Sequence, residues 1–368
     1  MSGTLAQTPL HAWHAAHHGR LVDFAGWSMP VQYSSIVAEH QATRNAAGMF
    51  DISHMGRLRF DGPGAADLLD SLLTRRVADQ QPGQIRYSLV TNDAGGILDD
   101  VLLYHLIDAA GSSYRLLVVN ASNREKILAW IERHLAGHHD ASMTDLTHDW
   151  AMLAVQGPRA LDLVQPHADV ELRKLKYYHG TEARIADQAA IVSRTGYTGE
   201  DGCELIVEAD VAAGIWQQLI DAGAAPAGLG CRDTLRLEAG MPLYGHELWE
   251  NIDPLQAGLG FAVNLEGRQF VGRDALVERQ RDTQAPRRVG LSLAGKRVPR
   301  EDYAIMCQSR QVGQVTSGTF SPTLERPIAM GYVEPALARP GQRLEIDIRG
   351  RREAATVVEL PFYRRPTT

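Results

Sequence analysis

Apolar positions recur along this chain at two periods. Leu68, Leu69, Leu72 and Leu73 fall at helical spacing and predict a helix over 62–77 that runs into a turn at 81–83. Ser122, with Glu125 three residues on, makes a capping-box pattern ahead of Ile127, Leu128, Ile131 and Leu135, predicting a second helix. Between them lie two strand-like runs, 97–106 and 114–120. A strand at 152–156, a helix at 158–164 and a strand at 190–193 continue the mixture, which is α+β patterning. Residues 228–240 read as a loop followed by a short helix ending at Gly240. The stretch 277–288 holds almost nothing to bury. Beyond it the pattern turns strand-like, at 289–293, 303–307, 313–316, 328–333, 342–348 and 354–360, which predicts a small carboxy-terminal β-barrel or sandwich.

At 368 residues the chain is too long for one ordinary core, so two or three domains are expected. A formal net charge of −7 argues against nucleic acid as the main partner. Cys203, Cys231 and Cys307 stand singly, which excludes a disulfide framework and fits a reducing compartment. With no charged-then-apolar leader and no apolar run of bilayer length, a cytoplasmic protein without membrane contact is expected. His11, His14, His17 and His18, and again His134, His138 and His139, lack carboxylate or thiol companions, so no metal is expected.

Three segments carry candidate chemistry. Asp99 and Asp100 stand at the mouth of the 97–106 strand, just past the Gly95-Gly96 turn. Strand alternation sends them to opposite faces. Asp100 shares its face with Leu98, Leu102, Tyr104 and Leu106, so it is expected to be the more desolvated acid. The residues alone fit either caps of the 92–96 turn or a working carboxylate. Residues 193–208 read as strand, glycine-punctuated turn and strand, with Glu204 on the returning strand and Tyr197 at the turn. Glu204 fits a solvated outer face, or a fixed pair of acceptors for a ligand with parallel N–H donors, such as the aminopyrimidine edge of a pterin. Arg232 lies at the loop-to-helix junction, where it can pair with Asp233 or Glu238 or hold a carboxylate elsewhere. The glycines of 228–240 follow no strand and lack a third glycine at the required spacing, which rules out a dinucleotide loop.

Seven segments in order resemble the glycine cleavage system T-protein family. They are Val22-Asp-Phe-Ala-Gly-Trp-Ser-Met-Pro30, Gly48-Met-Phe-Asp-Ile-Ser-His-Met55, Gly95-Gly-Ile-Leu-Asp-Asp100, Leu153-Ala-Val-Gln-Gly-Pro158, Thr195-Gly-Tyr-Thr-Gly-Glu-Asp-Gly202, Arg232-Asp-Thr-Leu-Arg-Leu-Glu-Ala-Gly240 and Val315-Thr-Ser-Gly-Thr-Phe-Ser-Pro322. The resemblance covers essentially the whole chain. It implies a multi-domain α+β fold, with a folate-binding region of two interleaved α+β subdomains over 1–280 and a β-barrel domain over 286–368. It also implies an aminomethyltransferase that uses tetrahydrofolate as co-substrate and the lipoylated H-protein as partner. Ammonia leaves, and 5,10-methylenetetrahydrofolate forms. Carried over by position, Asp100 matches the catalytic aspartate, and Glu204, Tyr197 and Arg232 match folate-contacting positions. Met55, Tyr87 and Asn120 map to the same pocket. Tyr363, in a short tail of uncertain register, is left outside the site. A folate-dependent demethylase of the same fold and a non-catalytic folate-binding assembly factor for iron–sulfur proteins are the competing implications.

Overall fold

Two compact units account for the chain in the computed structural model, which describes residues 4–366. The larger comprises residues up to 90, 99–196 and 200–232; the other comprises 91–98, 197–199 and 233 onward.

The larger unit is built on two sheets. One has five strands in the order Ile85–Thr91, Ile97–Ile107, Ser113–Val119, Gly56–Asp61 and Ser142–Asp145. The other has six, in the order Gly180–Ile185, Gln188–Ser193, Gly202–Glu208, Trp150–Gln156, Gly48–Asp51 and Ala225–Pro226. Only the last strand of this second sheet runs parallel to its neighbour. Met49, Leu153, Val155, Val192, Leu205 and Val207 pack in one core with Trp216 and Leu219 of helix Ala212–Asp221. The opposite face is buried too, since Ile206 and Glu204 are almost wholly covered, so Glu204 is not on a solvated outer face. Residues 22–30 form a tight hairpin in which Phe24 pairs with Trp27 across Ala25 and Gly26, both at positive φ.

The first predicted helix is shorter than its apolar spacing suggests, and the second contains all of its apolar positions. The first spans Ala65–Leu72, because Leu73 turns extended and bridges to Val90 while staying buried. Burial satisfies an apolar side chain in either backbone conformation, so periodicity overran the end. The second spans Arg124–Leu135 behind a 3₁₀ turn at Ala121–Asn123. No side chain caps it, so the capping box does not form. The amide of Asn123, its N-cap residue, is spent elsewhere.

In the second unit six strands close a barrel in the order Arg287–Leu293, Arg326–Val333, Arg310–Ser321, Ala304–Cys307, Arg343–Ile348 and Arg351–Val358. Leu291, Ile305, Val315, Ala329, Ile346 and Val357 fill it. The Arg310–Ser321 strand is much longer than the expected 313–316, because its polar residues are satisfied from within the unit. Thr316 donates to Glu247 at 2.5 Å, Ser317 accepts from Arg236 at 2.8 Å, and Ser321 donates to Glu238 at 2.5 Å. A polar run that looked like a strand end is the barrel's attachment to the Arg236–Glu247 pair. No described helix is long and apolar enough to cross a membrane.

Candidate active site

The turn ahead of the acid pair is closed by its own asparagine. Asn92 Oδ1 accepts from the Gly96 amide at 2.9 Å, and Asn92 N donates to Gly96 O at 2.9 Å. A Cβ on Gly96 would sit 1.7 Å from the Glu250 carbonyl oxygen, so the position admits no side chain. Asp99 and Asp100 are therefore free of the capping role.

Both acids turn instead to the strand beside them. Asp99 Oδ2 accepts from the Asn120 backbone amide at 3.0 Å, and its Oδ1 accepts from Asn120 Nδ2 at 2.8 Å and Asn123 Nδ2 at 2.6 Å. Asp100 Oδ1 accepts from the same Asn120 Nδ2 at 2.8 Å, and Asp100 Oδ2 accepts from the Tyr87 hydroxyl at 3.1 Å. The expected burial is reversed: Asp99 is 0% exposed, whereas Asp100 keeps partial access. Val101 and Leu103 continue the Asp99 face at full burial, and this packing outweighs the polar His105 at its far end. Neither acid makes an ion pair among the described residues. Burial pushes both carboxyls above the ordinary aspartate range, and the charge of Asp100 pushes Asp99 further.

Asn120 and Met55 flank one ladder. Gly56 pairs with Val119, so the chain leaves the sheet at Met55 on one strand and at Asn120 on the other. Arg57, fully buried, holds the 53–55 turn by donating to Ser53 O at 3.0 Å and Met55 O at 2.6 Å. Its charge is further met by the carbonyls of Thr147 and Trp150. Asn120 Nδ2 donates toward both acids, with the Asp100 carbonyl oxygen also 3.1 Å away, and the Asn120 side-chain oxygen accepts from no described residue.

Glu204 sits on the six-stranded sheet, opposite Ser193, and is 4% exposed. Thr195 donates to its Oε2 at 2.5 Å. Its Oε1 accepts from no described residue. Burial raises its carboxyl, opposed by the Thr195 bond and the charge of Arg232. Arg232 lies inside helix Leu229–Glu238, one turn beyond the junction expected for it. Its charge also bears on His54, whose imidazole burial holds down to about 3, against the pull of Asp51. His54 is therefore neutral, and its buried Nδ1 finds no partner among the described residues. Asp233 and Glu238, the anticipated partners of Arg232, are engaged by Arg236 and by Ser321 and Thr323.

Tyr178 and Thr195 escaped sequence reasoning. The Tyr178 phenol, raised by burial and by Tyr177, also feels the charges of Glu204 and Asp100, which ties the two acidic centres to one ring. Its φ of 58° is the only local peculiarity, and no sequence pattern marks it. Tyr197 belongs to the second unit, where its hydroxyl donates to the Pro242 carbonyl. The structure thus brings Asp100, Tyr87 and Asn120 into direct bonding, sets Met55 beside them, and links Glu204 to Arg232 through charge. Among the described residues, no group of three or more His, Cys, Asp or Glu is placed to hold a metal ion.

A neutral-donor cradle around unpaired acids, and a second buried acid with an open oxygen, suit a planar ligand rich in N–H groups that becomes cationic in reaction. Comparison with known proteins is consistent with this chemistry. Residues 10–267 match the model of the GCVT N-terminal domain, and residues 287–364 match that of the glycine cleavage T-protein C-terminal barrel domain. A Rubrobacter xylanophilus protein named aminomethyltransferase is 49% identical over 99% of this chain and 95% of its own length. One of the same name from Nostoc sp. is 44% identical over 98% and 96%. The crystal structure of glycine cleavage system aminomethyltransferase T from Bartonella henselae superposes with a TM-score of 0.91 at 34% identity, covering 98% of each chain. With both family models matched in order and full-length relatives at this identity, the chain belongs to the glycine cleavage T-protein family.

Proposed function

We propose that this chain is the aminomethyltransferase of a glycine cleavage system, with Asp100 as its catalytic residue. The aminomethyl group arrives as a thioether on the lipoyl arm of H-protein. Its nitrogen leaves as ammonia, its carbon bridges the two reacting nitrogens of tetrahydrofolate, and the arm departs as the dithiol. Carbon–nitrogen cleavage in an N,S-acetal leaves a cationic carbon stabilised by the remaining sulfur, which the folate amine then attacks. The observation that carries the assignment is that, among the described residues, Asp100 is held only by neutral donors, Tyr87 and Asn120. An anion not already neutralised by Arg or Lys is free to stabilise a developing cation and to take the proton of the attacking amine.

Glu204 anchors the aminopyrimidine edge of the folate through its open Oε1. The charge of Arg232 opposes the upward push of burial on that carboxyl, and Met55 and the Asn120 oxygen line the same pocket, while Tyr197 is assigned to folate contact by its family position alone. The three free cysteines suit a reducing, cytoplasmic setting.

The test mixes the protein with aminomethyl-loaded H-protein and tetrahydrofolate and follows ammonia and methylenetetrahydrofolate. Both products are expected, and Asp100→Ala should abolish them while folate still binds. Folate binding without product would point to a demethylase or an assembly factor. Ammonia release unchanged in Asp100→Ala would remove Asp100 from the chemistry.

A further inference from the structure

Asp99 is fully buried, makes no ion pair among the described residues and is next in sequence to Asp100. Isolated buried carboxylates are costly, and this one is kept by three bonds, all from residues 120 and 123. Two of those bonds fix Asn120 at once by its backbone and its side chain. An amide nitrogen carries two hydrogens, and Asn120 Nδ2 lies 2.8 Å from Asp99 Oδ1 and 2.8 Å from Asp100 Oδ1. With one hydrogen on Asp99, the other is aimed at Asp100. The third bond comes from Asn123 Nδ2, at the N-cap of helix Arg124–Leu135, so the strand end and the helix start both turn donors to this acid.

We propose that Asp99 is a positioning residue for Asp100: it orients the Asn120 amide that spans both carboxylates, so that the two acids work as a pair. This rests on the reading of Asp100 as the acting acid. The titratable groups facing the pair are Tyr87 on strand Ile85–Thr91 and Tyr178 ahead of strand Gly180–Ile185, with each acid facing the other. Two carboxylates in one desolvated pocket lose their protons in two linked steps. Replacing Asp99 by a neutral residue leaves Asp100 to titrate alone, without a like charge beside it.

The experiment records kcat and KM for tetrahydrofolate across pH for wild type and Asp99→Asn. The acid limb should change from a broad two-step rise to a single step, with KM within about twofold. A limb unchanged in shape, or a loss carried by KM alone, would reduce Asp99 to a structural role. In parallel, wild-type protein with ¹³C-labelled aspartate carboxyls is titrated without substrate, the resonances being assigned through single Asp→Asn variants. Both resonances should report the same two steps. Independent single steps would overturn the proposal even if Asp99→Asn does not fold. If wild type turns over no aminomethyl carrier, the proposed reaction fails, and the carboxyl titration still decides the coupling.

Discussion

Tyr87→Phe removes the hydroxyl that donates to the carboxylate proposed as catalytic. The hydroxyl donates to Asp100 Oδ2 at 3.1 Å, at the long end for O–H···O, and phenylalanine keeps the ring in place. Hydrogen bonds to charged groups contribute about 1.5–3 kcal/mol, and the length argues for the lower end. Because the bond favours the ionised form, losing it raises the Asp100 pKa, and ~1.4 kcal/mol corresponds to about one unit. On the acid limb, where the ionised fraction falls tenfold per unit, the variant should run about tenfold below wild type. On the alkaline plateau, where Asp100 is ionised in both, the two should converge. The assay measures initial rates of methylenetetrahydrofolate formation at several pH values as a ratio to wild type, so that substrate ionisation cancels. A ratio constant across pH would refute the reasoning, because it would place Tyr87 in binding or folding rather than in the ionisation of Asp100.

Other consequences concern binding and stability. Glu204→Ala should weaken tetrahydrofolate binding by about 1.5–3 kcal/mol and more than Asp100→Ala does, measured by calorimetric titration, since the first removes a ground-state anchor and the second acts in the transition state. Equal losses would contradict that division. Thr195→Val strips Glu204 of its one described donor, so the carboxyl should rise further; folate affinity, followed against pH, should be lost at a higher pH than in wild type as the solution is acidified. Arg236→Met leaves Glu247 buried and uncompensated, at a cost of about 3–5 kcal/mol by urea denaturation. Glu247 has a lowered pKa in the fold, so the pair stabilises above the unfolded carboxylate value of about 4.3, and this is lost as pH falls through the folded value. The difference between wild type and variant should accordingly narrow in acid.

Much of this molecule was legible in its residues. Period-two runs located the barrel strands and the Gln188–Ser193 and Gly202–Glu208 hairpin arms, because half-buried strands expose their alternation directly. The ordered motifs named the family, since glycines, acids and aromatics at fixed spacing survive without knowledge of their contacts. Sequence alone left Asp99 and Asp100 between turn cap and catalyst and misjudged which was more deeply buried. That depended on Asn92 closing the turn, on Asn120 and Asn123 arriving from the next strand and helix, and on the packing of Val101 and Leu103. It left Glu204 between a solvated face and a ligand anchor, and the burial of its side of the sheet removed the first of these. Periodicity reports one element's preference for an apolar side. Desolvation, hydrogen-bond partners and ionisation are properties of what packs against that side, and only the tertiary structure brings residues 87, 99, 100, 120 and 123 together.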